Sequence, residues 1–253
     1  MNLIFVTGTA GSGKSLLTSS MASWYREKSQ DVICVNLDPG VLSLPYDPDV
    51  DIRTQIDLQQ IMADYSLGPN GALIFANDLI ASKLATIQEE IDSTAADFAI
   101  IDTPGQIELF AFRESGPFVA RGLQGESKVL LFLVDSLVAS TPANFLSLLL
   151  LSASVNLRMG MPQLQLLSKV DLAGPVASEI IKWGKDSTAF EESLSGIKSG
   201  DEYTLYTQLF RGLRKGTAFS TNIFPISSYT REGFIALMGE LSRDFNAGEE
   251  MEE

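Results

Sequence analysis

Short apolar runs recur along the chain at Leu3 to Val6, Val32 to Leu37, Phe98 to Ile101, Val129 to Val134 and Leu164 to Leu167, with a weaker one around Ile223 to Ile226. Most are unbroken rather than alternating, the pattern of strands covered on both faces, which predicts a parallel sheet. Between them the spacing predicts helices over Ser15 to Lys28, Leu79 to Ile91 and Asn144 to Asn156, long enough to act as crossovers. That order predicts an α/β fold, a doubly wound and mostly parallel sheet flanked by helices. The stretch from Gly174 to Asn222 breaks the rhythm. It is polar and rich in Ser, Gly and charge, with helical pieces around Val176 to Trp183 and Tyr203 to Leu213. It reads as a helical insertion or lid within a single domain of residues 1–253, and the acidic end from Gly248 to Glu253 reads as a frayed tail.

Composition narrows the chemistry. Lys and Arg number 18 against 32 Asp and Glu, a net charge of −14, so nucleic acids and anionic membrane surfaces are not expected as partners. Any polyanion must be met by a local site. The chain has no histidine, which excludes His-based triads, His-ligated metals and imidazole proton shuttles. Its one cysteine, Cys34, excludes an intrachain disulfide and falls inside a predicted strand, as a small buried apolar residue would. Met1 leads straight into the first apolar run, and the longest apolar stretch, Phe145 to Val155, is far short of the roughly 20 residues that span a bilayer. A cytoplasmic location is therefore expected. Periodicity leaves open whether Leu146 to Leu151 is core or dimer surface.

The most informative stretch is Gly8-Thr9-Ala10-Gly11-Ser12-Gly13-Lys14-Ser15, which fits GxxxxGK[ST] between a predicted strand and a predicted helix. Glycines let the backbone wrap so that successive N–H groups point at a phosphate, and the following helix adds its positive end. Gly8, Gly11, Ser12 and Gly13 are thus expected in the cradle. Lys14 would reach the outer phosphates, and Ser15 would ligate Mg²⁺ through its hydroxyl.

Two further strand ends bear on which nucleotide is held. Asp102-Thr103-Pro104-Gly105-Gln106 places a carboxylate where ligands sit in such sheets. Asp102 would partner a hydrated Mg²⁺ beside Ser15, and Gly105 would turn its N–H toward a terminal phosphate. Ser168-Lys169-Val170-Asp171 has the spacing of a guanine-reading [NTS]KxD motif. Asp171 can accept from both the ring N–H and the exocyclic amine of guanine, a donor pair adenine lacks. The Lys169 stem would pack over the base plane and hold the loop, and Ser227, in Pro225-Ile226-Ser227-Ser228, is a candidate at the base edge.

Taken together these motifs resemble a GTPase, and Gly68-Pro69-Asn70, following Asn36-Leu37-Asp38-Pro39, Pro45-Tyr46 and Asp51-Ile52-Arg53, resembles the GPN-loop GTPases from residue 2 to about 230. By itself Gly68-Pro69-Asn70-Gly71 reads as a turn. The resemblance implies a phosphate-loop NTPase fold and a Mg²⁺-dependent hydrolase that turns GTP into GDP and phosphate. It implies a homodimer whose Gly-Pro-Asn loop brings Asn70 toward the partner's nucleotide, and a client protein that the residues do not identify. It also implies that Asp38 polarises the attacking water and joins the metal set with Ser15 and Asp102, with Gln106 and Glu108 as further candidates around the water. The chain departs from the family pattern at Ser15 and Ser168, which keep the hydroxyl, and at Gly40, where alanine is usual.

The residues fit that chemistry, because phosphoryl transfer asks mainly for positioning and charge neutralisation, which a carboxylate or amide can supply without histidine. Arg53 is a candidate for pairing with an acidic neighbour, bracing the switch or acting as an arginine finger. The competing readings are a phosphate-loop small-molecule kinase, with residues 174–222 covering the acceptor, and a GTP-binding assembly scaffold with little turnover. A MinD-like ATPase would carry an additional lysine early in the loop, where this chain has Thr9 and Ala10.

Overall fold

The computed structural model describes residues 1–194, 200–215 and 219–249, with side chains described to residue 245. Seven strands, β1 (Asn2–Gly8), β2 (Val32–Asn36), β3 (Val50–Asp51), β4 (Phe98–Asp102), β5 (Lys128–Asp135), β6 (Gln163–Ser168) and β7 (Ile223–Pro225), form one sheet in the order β3-β2-β4-β1-β5-β6-β7. Every pairing is parallel. The first six helices are α1 (Lys14–Glu27), α2 (Leu58–Asp64), α3 (Pro69–Ile80), α4 (Leu84–Asp92), α5 (Ile107–Phe110) and α6 (Ser115–Gly122). They are followed by α7 (Pro142–Met159), α8 (Val170–Ala173), α9 (Pro175–Lys185), α10 (Ser187–Ser193), α11 (Gly200–Lys215) and α12 (Phe234–Glu249). Among the described residues no helix is long and apolar enough to cross a membrane.

The unbroken apolar runs follow from burial on both faces. Along β1, Ile4 and Val6 meet Leu17, Met21 and Ala22 of α1 and Phe234, Leu237 and Leu241 of α12. Leu3 and Phe5 belong to the opposite layer, with Ile80, Ile87, Phe145 and Leu149. Because successive side chains alternate sides, both sets must be apolar.

The structure revises the expected helices in two places. The predicted helix over Leu79 to Ile91 is two helices, α3 and α4, joined by a 3-10 turn at Ala81–Lys83. Ala76 and Ile80 before the turn and Ile87 and Ile91 after it all face the core. A seven-residue step reads as one continuous helical face, so periodicity cannot reveal the turn. The Gly-Pro-Asn tripeptide is the start of α3 rather than a free turn, with Gly68 at the N-cap and Pro69 in the first turn. Proline is well placed there, because its missing N–H would have no helical partner anyway.

Residues 174–222 supply α9, α10 and α11, which dock on α7. Phe190 stacks on Phe210 with ring centroids 4.1 Å apart, and Phe145 of α7 meets both rings and Trp183. Leu146, Leu148 and Leu149 are buried in the chain's own core, which answers the question left open for that helix. Of the expected tail from Gly248 to Glu253, Gly248 and Glu249 belong to the end of α12, and residues 250–253 lie outside the described residues.

Cys34, fully buried on the α1 side of β2, has its thiol pushed up to about 12, chiefly by burial. The native protein is expected to resist a thiol-selective reagent at pH 8 and to take up one equivalent after denaturation. Equal labelling rates in the two states would contradict this layer packing.

Candidate nucleotide site

The C-terminal ends of β1, β2, β4, β5 and β6 converge on one edge of the sheet, where the strand order reverses around β1, the usual place for a ligand crevice. The phosphate loop leaves β1 there. Gly8 has φ +152°, and a Cβ on it would lie 2.8 Å from the Leu133 carbonyl oxygen. Gly13, φ +98°, caps α1 in the left-handed region that other residues enter only with strain. The loop conformation therefore requires these glycines.

Lys14 opens α1 and is 6% exposed. Its Nζ donates to the carbonyls of Gly8 at 3.1 Å, Thr9 at 3.1 Å and Gly105 at 3.2 Å. Its pKa is lowered by burial, an effect that Asp102 and Asp38 only partly offset. Asp102, at the end of β4, has its carboxyl pushed up to about 6 by burial, held back by the Ser15 and Tyr46 hydroxyls and by Lys14. Tyr46 Oη donates to Asp102 Oδ2 at 3.0 Å. Asp102 Oδ1 and the fully buried Ser12 Oγ have no partner among the described residues.

The orphaned Asp102 Oδ1, on a carboxyl group that the Ser15 hydroxyl reaches, is a donor that suits a hydrated divalent cation. Among the described residues no cluster of three or more Cys, Asp or Glu side chains is arranged to hold a metal. The oxygen donors near this point are the Ser15 hydroxyl and the Asp102 and Asp38 carboxylates, the kind of ligand hard divalent cations take.

Asp38 follows β2. Its Oδ1 accepts from Gly40 N at 2.9 Å and its Oδ2 from Gly105 N at 2.8 Å, so one carboxylate joins the segment after β2 to the segment after β4. Behind it, the buried Asn36 accepts from Asp38 N at 3.0 Å and donates to Asp51 at 2.9 Å. Arg53 pairs with Asp51 at 2.6 Å and donates to the Val41 carbonyl at 3.1 Å. Of the three roles open to Arg53, this geometry is that of a brace.

Ser168 and Lys169 reach back to the phosphate loop. Ser168 Oγ donates to the Ser12 carbonyl at 2.9 Å. Lys169, in left-handed conformation, donates to the Gly11 carbonyl at 2.7 Å and pairs with Asp135 at 2.6 Å. Beyond them a cavity of about 400 Å³ is lined by Ser12, Gly13, Leu16, Lys169, Asp171, Leu172, Ser228 and Tyr229 among others. That volume suits a base and ribose. The exposed Asp171 has no hydrogen-bond partner among the described residues.

Three expected site residues sit differently from the rest. Ser227 is fully buried, and its Oγ accepts from Thr230 N at 3.0 Å, so Ser228 and Tyr229 line the cavity of about 400 Å³ in its place. Glu108, on α5, is exposed and lines neither this cavity nor the smaller one beside Gly105. Asn70 is exposed in the first turn of α3 and lines neither cavity of its own chain. Gln106 does line the smaller cavity, of about 200 Å³, with Ala10, Asp38, Asn77 and Gly105.

Sequence reasoning gave no role to Tyr46, Asn36, Asp135 or Asn77, nor to the cavity walls Leu16, Leu172 and Tyr229. Asp135 had a visible signal, an apolar strand ending in a carboxylate. Asn77 had none, because one amide in an apolar helix pattern looks like an interruption. A larger and more open cleft of about 680 Å³, lined by Phe112, Arg113 and Phe118 among others, contains none of the phosphate-loop residues.

A family model described as a conserved hypothetical ATP binding protein matches residues 6–246. GPN-loop GTPase 1 of Dictyostelium discoideum is 31% identical over 76% of this chain and 49% of its own length. GPN-loop GTPase QQT2 of Arabidopsis thaliana is 32% identical over 90% of this chain and 61% of its own. The chain thus spans about half to three fifths of these two curated relatives. The crystal structure of a GTPase in apo form from Pyrococcus abyssi superposes with a TM-score of 0.85 at 28% identity, covering 97% of both chains. With the phosphate loop, the Asp102 and Asp171 strand ends and these relatives in agreement, the chain belongs to the GPN-loop GTPase family.

Proposed function

We propose that this chain is a Mg²⁺-dependent GTPase that hydrolyses GTP to GDP and phosphate as a nucleotide-switched homodimer. The observation that carries the reading is the meeting, at one sheet edge, of the loop gripped by Lys14 and a base cavity ending in the unpartnered Asp171. Gly8, Gly11, Ser12 and Gly13 wrap the phosphates with their main chain, and Lys14 neutralises the outer ones. Ser15 would hold Mg²⁺ through its hydroxyl, with Asp102 and Asp38 beside it. When bound, such an ion would supply positive charge that offsets the charge developing on the phosphate oxygens.

Asp38 gives the site a means of sensing the terminal phosphate. A phosphate oxygen that takes the Gly105 N–H displaces Asp38 Oδ2 and frees that oxygen to accept from a water. The water oxygen bonds to phosphorus as the bridging P–O bond breaks, GDP leaves with the electron pair, and a water proton ends on a phosphate oxygen. Gln106 flanks that water. Glu108, outside the cavity, reaches it only through movement of α5.

The volumes favour hydrolysis over transfer to a small molecule. The cavity beside Gly105, at about 200 Å³, falls below the roughly 300–1,000 Å³ usual for organic ligands, and no described residue of α9–α11 lines it. Guanine is preferred although the family model is described by ATP, because adenine would leave the Asp171 charge without its pair of donors. Asn70 lines neither cavity of its own chain, which supports a role at a partner's nucleotide. A cytoplasmic setting, a client protein and no nucleic-acid or membrane partner complete the reading, in keeping with the net charge of −14.

Asp171→Asn is expected to weaken GTP binding by roughly 10–100-fold while leaving ATP binding nearly unchanged, the loss of a charged hydrogen-bond pair. Competition binding reads this, and an intact preference for GTP over ATP would overturn the base assignment. Light scattering of the purified protein with a nonhydrolysable GTP analogue is expected to give twice the chain mass. A single chain mass with and without the analogue would remove the partner role of Asn70.

A further inference from the structure

We propose that Asn77 holds the attacking water from within the same chain. Asn77 lies on α3, two helical turns after Asn70, and is 2% exposed. Its neighbours on the buried face, Ala72, Ala76 and Ile80, are apolar. An asparagine gains nothing there from helix propensity or hydrophobic burial. Its Nδ2 donates to the Leu73 carbonyl at 2.8 Å, which fixes the amide orientation and leaves Oδ1 as the free end. That Oδ1 is buried and has no donor among the described residues. A buried acceptor in this condition costs about 1–3 kcal/mol unless a ligand or water completes it.

The residue lines the cavity of about 200 Å³ beside Asp38, Gly105 and Gln106. Water has a liquid volume of about 30 Å³ per molecule, so the space admits a few waters. Two of the residues lining this cavity carry acceptor oxygens with different partners. Asp38 is held by main-chain amides of the two switch segments, whereas Asn77 Oδ1 is held by nothing. A water donating one proton to each turns a lone pair toward the terminal phosphorus. Asn77 thus restrains the nucleophile's orientation and takes no proton. Since α3 begins at Gly-Pro-Asn, one helix carries an exposed amide for a partner's site and a buried amide for its own.

This inference rests on the GTPase reading, and the experiment separates their failures. Asn77→Leu, close in volume but lacking the acceptor, and Asn77→Ala, which leaves the cavity open to water, are compared with the parent. The probes are GDP, a nonhydrolysable GTP analogue and GDP with aluminium fluoride, all with Mg²⁺, alongside single-turnover hydrolysis. Both variants are expected to bind GDP and the analogue within about twofold of the parent. Fluoride-dependent GDP capture, which needs the in-line water, and single-turnover rate are expected to fall by roughly 10–100-fold. A merely structural role would move ground-state binding and fluoride capture together, and that result would overturn the proposal. So would parent-like capture and turnover in Asn77→Ala, which also decides the matter should Asn77→Leu fail to fold. A parent that binds no GTP would instead sink the GTPase reading beneath it.

Discussion

A lysine ammonium seated among three main-chain carbonyls is the interaction on which the nucleotide end of this molecule depends. Lys14 ties Gly8 and Thr9, on its own loop, to Gly105, which lies 91 residues further along. Left-handed glycines let the loop curl tightly enough for that ammonium to sit inside it, and the start of α1 faces the same point. The chain carries a net charge of −14, so a polyanion is attracted only where such a local cation and a row of amides outweigh the surroundings. Burial weakens the ammonium's hold on its proton, and Asp102 and Asp38 offset part of that loss. The carboxylates that would attend a metal therefore also favour the charged form of Lys14.

Around this centre the structure braces the loop from outside. Ser168 and Lys169 bond the carbonyls of Ser12 and Gly11, and Asp135 anchors Lys169. The segment that would read the base thus also fixes the loop that would hold the phosphates, so misplacing either disturbs both. On the other side Asn36, Asp51 and Arg53 hold the segment from Asp38 to Val41. The Asp38 carboxylate spans from there to the Gly105 amide, which is the point where a terminal phosphate would intervene.

Much of the fold was legible because burial on both faces of a parallel sheet leaves strands of continuous apolar sequence. Six of the seven strands stand where such runs occur. β3 escaped because its two residues, Val50 and Asp51, are too few to form a run. The break between α3 and α4 escaped because the 3-10 turn preserves the spacing of buried residues. The phosphate loop was legible for a different reason: its chemistry needs consecutive residues of special type, and consecutive residues are what a sequence displays. Contacts made across the sheet edge were not, since Tyr46 meets Asp102 over 56 positions and Lys169 meets Gly11 over 158. Ser227 shows the limit within a motif, because its hydroxyl closes its own turn while its neighbours face the cavity.

The account stands on the loop holding a nucleotide's phosphates through Lys14, and equilibrium binding of labelled GTP in the presence of Mg²⁺ tests this most directly. The parent is expected to saturate at one nucleotide per chain, and Lys14→Ala to lose affinity on the order of a hundredfold with its unfolding transition preserved. GTP bound as tightly by Lys14→Ala as by the parent, or no saturable binding by the parent, would contradict it.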